Sequence, residues 1–124
     1  MSEIIDTNVF SKVFRGDSAV KTYIETLDGV IDTTIYIECL QGSKSNQEKR
    51  GIKTYLSNFP LLPITPRVSE RAMELIDDYS NSHGLLLADA LIAATAIEND
   101  LTVVTYNLDD FKFIVGLKYS KPAV

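Results

Sequence analysis

Two rhythms of apolar residues run along the chain. Short β-branched runs are bounded by polar turns, and longer stretches place apolar residues three and four positions apart, the spacings of strands and of amphipathic helices. Glu3-Ile4-Ile5 reads as a first strand ending at Asp6-Thr7-Asn8. Val9, Phe10, Val13 and Phe14 predict a short helix stopped by Gly16. Asp17 or Ser18 caps the next, whose apolar side carries Val20, Tyr23, Ile24 and Leu27. After the Asp28-Gly29 turn, Val30-Ile31 make a second strand, and Thr33 or Thr34 opens a helix through Glu38 that ends near Gly42. The polar run 44–50 is a solvated helix face leading into Ile52, Tyr55, Leu56 and Phe59. The proline-punctuated segment 59–64 is extended. Thr65 followed by Pro66 starts a helix carrying Val68, Ala72, Leu75, Ile76 and Tyr79, closed by His83-Gly84. Segment 101–105 is the clearest strand, and Ile114-Val115 with Leu117-Lys118-Tyr119 supply a short edge strand.

The stretch 85–97 breaks both rhythms. Leu85, Ala88, Ile92 and Ala96 share one side of a helix, while Leu87, Leu91, Ala94 and Thr95 cover much of the other, so a helix here is buried nearly all round. Its one carboxylate, Asp89, is costly there unless it caps the helix, is paired, or binds a metal. Cap and shared acidic site both remain open on this stretch alone.

Composition narrows the classes. A chain of 124 residues makes one domain, spanning 1–124, with 45% hydrophobic and 23% charged residues in the ordinary range for a globular protein. Asp89 and then Glu98-Asn99-Asp100 interrupt the best candidate for a membrane span, and no signal peptide precedes Ile4-Ile5, so no membrane association is expected. The single Cys39 excludes an internal disulfide and a thiolate zinc site, which fits a reducing cytoplasm. A net charge of −5 argues against a broadly basic nucleic-acid surface, though not against a local basic rim.

Strands alternating with helices predict an α/β fold, a short parallel sheet flanked by helices on both faces, with ligands beyond the carboxyl ends of the strands. Asp6, Glu38 and the Asp109/Asp110 pair follow predicted strands or sit on the helices after them, and Asp89 lies at a helix start that can face the same edge. Four carboxylates meeting there are hard oxygen ligands suited to Mg²⁺ or Mn²⁺.

In that order and spacing, Ile5-Asp6-Thr7-Asn8-Val9, Ile37-Glu38-Cys39-Leu40-Gln41-Gly42, the segment opening Asp89-Ala90-Leu91-Ile92, and Val104-Thr105-Tyr106-Asn107-Leu108-Asp109-Asp110-Phe111 resemble the motifs of a PIN-domain ribonuclease, specifically a VapC-type toxin of a type II toxin–antitoxin pair. The resemblance covers nearly the whole chain and implies a single PIN-like domain. It implies Mg²⁺- or Mn²⁺-dependent hydrolysis of RNA, with Asp6, Glu38, Asp89 and Asp110 as the catalytic and metal-binding acids. Thr7, Asn8, Thr105 and Asn107 would orient them. Of the two adjacent aspartates, Asp110 matches the family's acid and Asp109 faces solvent. The position after Thr105 is often basic in the family and here is Tyr106. The resemblance further implies a homodimer and a cognate antitoxin laid across the acidic groove. Tyr23, Ile24, Tyr36, Ile52, Tyr55 and Leu56 exceed what a small core needs and are expected to supply such surfaces. Lys12, Arg15, Lys49 and Arg50, with Lys44 and Lys53, form a basic rim for RNA phosphates, or ordinary solubilising charge.

Other readings are a catalytically silent PIN-like binding or assembly module, and a phospho-aspartyl or receiver-type α/β domain. The second lacks paired acids at Asp6 and a phosphate-binding lysine on the late strand. A Ser or Cys hydrolase has little to work with. His83, the only histidine, sits at a helix end as a C-terminal cap, and Cys39 lies about 100° around its helix from Glu38 as a buried thiol.

Overall fold

The β-branched runs do pair. In the computed structural model, which describes residues 1–124, five strands form one sheet in the order β3-β2-β1-β4-β5, with every neighbouring pair parallel. They are β1 (Glu3–Ile5), β2 (Gly29–Asp32), β3 (Leu61–Leu62), β4 (Thr102–Val104) and β5 (Lys118–Ser120). Six helices flank them: α1 (Thr7–Phe14), α2 (Ser18–Glu25), α3 (Thr33–Gln41), α4 (Asn46–Leu56), α5 (Pro66–His83) and α6 (Leu87–Glu98). The central strands bury Ile4, Ile5, Val30, Ile31, Val103 and Val104 completely or nearly so, as parallel strands covered on both faces must. The chain leaves β1 outward through β2 and β3, then returns to β1's other side for β4 and β5. This reversal puts a crevice between the carboxyl ends of β1 and β4.

Short oxygen-bearing side chains start most helices by accepting free backbone N–H groups: Asp17 from Val20, Ser45 from Glu48 and Thr65 from Val68. The α3 cap differs from expectation. Neither Thr33 nor Thr34 caps it; Asp32, the last residue of β2, accepts from Ile35 N–H at 2.8 Å. Helix α5 ends as its sequence predicts, on Gly84 in the left-handed region at φ 68°.

Helix α6 corrects the expectation of all-round burial. It starts only at Leu87, so Leu85 lies outside it, and Leu86 and Leu87 are 71% and 70% exposed. Burial begins with Ala90 and runs through Ile92, Ala93, Ala94, Thr95 and Ala96, where the small side chains let α5 and α3 approach. The expected apolar surplus is also partly misplaced. Ile24, Ile52 and Leu56 are core residues, and Tyr23, Tyr36 and Tyr55 are half-buried against the core. The exposed apolar residues are others: Ile37, Ile64, Leu86 and Leu87 among them. An aromatic knot of Phe10, Phe14, Tyr55 and Phe59 docks α4 onto α1 and holds Tyr55 against the core. No helix is long and apolar enough to cross a membrane.

Close packing makes one glycine a test of this core. A Cβ on Gly29 would lie 2.5 Å from Ile5 Cδ1. Gly29→Ala should therefore destabilise by about 1–3 kcal/mol through overpacking. Adding Ile5→Val removes the clashing methyl, so the double variant should be more stable than the sum of the two singles in urea unfolding. Simple additivity would show that the β1–β2 contact is looser than described.

Candidate active site

Asp6 ends β1 and begins α1, and its carboxylate is tied on both oxygens. Oδ1 accepts from Thr7 N–H at 2.8 Å, and Oδ2 accepts from Thr105 Oγ1 at 2.9 Å and from Asn8 Nδ2 at 3.0 Å. Tyr106 N–H donates to Asn8 Oδ1, which fixes the Asn8 amide with its nitrogen toward Asp6 and Thr105. Thr105 is fully used as well: its hydroxyl donates to Asp6 and accepts from Asn8 Nδ2 and from Asn107 N–H. Asn107 acts here through its backbone, while its residue as a whole is exposed. Thr7 Oγ1 donates to Glu38 Oε1 at 2.7 Å, linking the first acid's loop to the second acid on α3. Thr7, Asn8, Thr105 and Asn107 are thus brought together at the β1–β4 crevice.

Asp89 sits in the first turn of α6 without capping it; the cap position is Leu86, and no side chain accepts there. That removes the capping reading of Asp89. Because α6 leads back into β4, its N-terminus lies at the carboxyl edge of the sheet, and Asp89 feels the charges of Asp6, Asp110 and Glu38. Burial first, and then those three carboxylates in turn, push its carboxyl up to about 7. Asp6 is also raised, by burial above all, with Glu38 and Asp110 adding to it against the hydrogen bonds from Thr105 and Thr7. Asp110 is exposed on the 3₁₀ turn Leu108–Asp110, and its neighbour Asp109 points away to an ion pair with Lys112 at 2.7 Å. Cys39 is inert, its thiol pushed up to about 12 by burial.

Sequence reasoning missed Asp32, an acid completely buried behind Glu38. Burial raises its pKa, and Thr95 Oγ1 lies 3.3 Å from its Oδ2 and 2.8 Å from the Leu91 carbonyl. The one threonine proton serves a single acceptor at a time, and the shorter of the two contacts is to the Leu91 carbonyl. The role of Asp32 is to set the start of α3, and so the placement of Glu38. The signal was present, since Asp directly before Thr-Thr at a helix start is a cap. His83 stacks on Phe113 with ring centroids 4.4 Å apart, and the helix terminator beside it is Gly84.

No cation neutralises the acids: Asp6, Glu38, Asp89 and Asp110 take part in none of the chain's salt bridges. Nor do three or more of them close into a ready-made cage for an ion. Hard oxygens that close no cage fit a small divalent ion that keeps several waters, rather than a dehydrated one. Of the basic residues, Lys12 places its Nζ 4.0 Å over the Tyr106 ring, so a cation from α1 stands beside the position where the chain carries an aromatic. Arg15 lines a cleft that reaches Glu38. Lys49 and Arg50 lie on α4 and do not line it.

The raised carboxyls set a pH dependence with a definite sign. Between the ordinary value near 3.8 and about 7, folded Asp89 holds a proton that the unfolded chain has lost, so stability falls as pH rises through that window. Asp6 and Asp32 push the same way. The lowered carboxylates Asp28, Asp100 and Asp109 act with the opposite sign, below the ordinary carboxylate range. In EDTA the protein should melt higher at pH 5 than at pH 8, and Asp89→Asn should flatten the difference. A melting temperature that rises from pH 5 to pH 8 would contradict the crowding of these acids.

Residues 4–115 match the PIN-domain family. Ribonuclease VapC1 of Rickettsia felis is 31% identical over 95% of this chain and 94% of its own length. Ribonuclease VapC10 of Mycobacterium tuberculosis is 29% identical over 93% and 90%. A toxin–antitoxin complex from Klebsiella pneumoniae contains a chain with a TM-score of 0.80 and 30% identity, covering 94% of this chain and 95% of that one. With the family matched over residues 4–115 and a ribonuclease VapC 31% identical over 95% of this chain, the chain belongs to the PIN-domain family, among its VapC-type members.

Proposed function

We propose that this chain is a divalent-metal-dependent endoribonuclease and the toxin of a toxin–antitoxin pair. The observation that carries the reading is the set of four carboxylates without a counter-cation at the sheet's carboxyl edge, one of them pushed up to about 7. Relatives named ribonuclease VapC support the RNA substrate. Asp6 and Asp89 would hold a Mg²⁺ or Mn²⁺ ion, with Glu38 and Asp110 acting directly or through water. The bound ion supplies Lewis-acid polarisation of the phosphoryl group and a more acidic attacking water. The remaining work belongs to the chain. Thr105, Asn8 and the Thr7 N–H hold Asp6 in one orientation, and the Thr7 hydroxyl does the same for Glu38. Lys12, Arg15, Lys49 and Arg50 are the cations available for phosphates along the substrate, and Lys12 is joined to the Asp6 network through Tyr106.

The similar chain in a toxin–antitoxin complex supports a cognate antitoxin as partner. Ile37, Ile64 and Leu87 line an apolar cleft of about 250 Å³ that adjoins Glu38, a surface for a homodimer contact or for that partner. That no three of the acids close into a ready-made cage favours a second reading, a catalytically silent PIN module, and one assay separates the two.

Purified protein with excess Mg²⁺ or Mn²⁺ should cleave RNA at few sites, and EDTA should abolish cleavage. Asp6→Asn should lower kcat by at least about 100-fold, the cost of removing a principal electrostatic group. Thr105→Val should cost roughly 10–100-fold through misorientation of Asp6. Cleavage that survives EDTA or Asp6→Asn would place the chemistry elsewhere, and none with either metal would leave the silent module.

A further inference from the structure

One cleft beside the acidic centre has a chemistry of its own. It measures about 390 Å³, within the range of small-ligand sites, and runs between α1, α3 and α4 from Glu38 outward. Its floor is apolar, made by Phe14, Ile52 and the inert Cys39 thiol. The Phe14 ring is held by stacking on Phe10 and edge contact with Tyr55, so the floor is rigid. At the rim stand Arg15 and Lys44, both exposed and neither in a salt bridge. Glu48 adds a carboxylate to the wall.

We infer that this cleft is a nucleotide subsite for single-stranded RNA, receiving the residue that flanks the bond cleaved at the acidic centre. The inference rests on the nuclease reading and extends it to a strand direction. A base lies against Phe14 and Ile52, as aromatic and apolar platforms accept any base face. The phosphates on its two sides meet Arg15 and Lys44, one each, the two cations free to approach them. Glu48 offers an acceptor to an exocyclic amino group, which favours a base carrying one. Arg15 caps the C-terminal end of α1, whose eight residues put it roughly 12 Å along the axis from the Asp6 end. The strand therefore runs along α1, from the acids at its start to the cations at its end.

The test uses the full chain carrying Asp89→Asn, so that binding is read without cleavage, and a labelled single-stranded oligoribonucleotide followed by fluorescence anisotropy. Combining Arg15→Ala with Lys44→Ala should weaken binding at least tenfold in low salt. It should also reduce the slope of log K against log salt by about 1.4, two phosphate contacts at about 0.7 each. Arg15→Lys with Lys44→Arg should retain most of the affinity, and Lys21→Ala, on α2, should leave the slope unchanged. Both rim residues are exposed, so melting temperatures report that the fold is intact. If the double alanine variant binds RNA as before while the parent chain still cleaves RNA, the subsite is wrong and the nuclease stands. If no RNA is bound or cleaved at all, both readings fall. If RNA binding is intact but capture of a co-expressed antitoxin is lost, the cleft is a protein groove and the inference is overturned.

Discussion

Unpaired negative charge at one edge of a parallel sheet is the constraint on which the rest of this structure depends. Two acids of the group, Asp6 and Asp89, pass over an arrangement that would have been cheaper. Asp6 could have been an ordinary helix cap with an exposed face; instead it is buried, with three donors on its two oxygens. Asp89 could have reached the free N–H groups at the start of α6, yet caps nothing. Elsewhere the chain neutralises its acids readily, as Glu98 shows between Arg67 and Arg71. At the carboxyl edge it does not. Charge left uncompensated where like charges meet raises pKa values and costs folding free energy, and is the usual mark of a functional site.

The scaffold is arranged to hold that charge still. The strand order brings the ends of β1 and β4 together, so Thr105 can bind Asp6 across 99 positions of sequence. The Tyr106 backbone then locks Asn8, and Thr7 reaches Glu38, so three separate segments share one hydrogen-bonded frame. Behind it, Asp32 sets the first turn of α3 and touches Thr95 of α6, connecting the elements that carry Glu38 and Asp89. The frame is polar and satisfied; of the two acids it orients, Asp6 is buried and Glu38 is partly open to solvent.

Much of this was legible in the residues. Strand–helix alternation announced the parallel sheet, Thr65-Pro66 and Gly84 marked the bounds of α5, and the four acids in order pointed to the sheet edge. What escaped was set by tertiary contact. Helical periodicity reads residue types rather than neighbours, so it could not tell that Leu86 and Leu87 protrude past the end of the core while Ile24, Ile52 and Leu56 are enclosed. Asp32 was overlooked because the threonines after it are equally plausible caps. Lys12 over Tyr106 could not be foreseen either, since it depends on how α1 lies beside the loop after β4.

The most direct measurement is thermal unfolding of the parent chain and of Asp89→Asn at pH 8, each in EDTA and in excess Mg²⁺. At that pH Asp89 is largely ionised, and its replacement removes one charge from a repelling group while keeping the shape. The account predicts that Asp89→Asn melts higher than the parent in EDTA, by roughly 3–5 °C for each ~1 kcal/mol of repulsion relieved. It also predicts a smaller gain on adding Mg²⁺, because the folded state would then hold the ion with one carboxylate fewer. A variant that melts lower than the parent in EDTA, with an undiminished response to Mg²⁺, would contradict it.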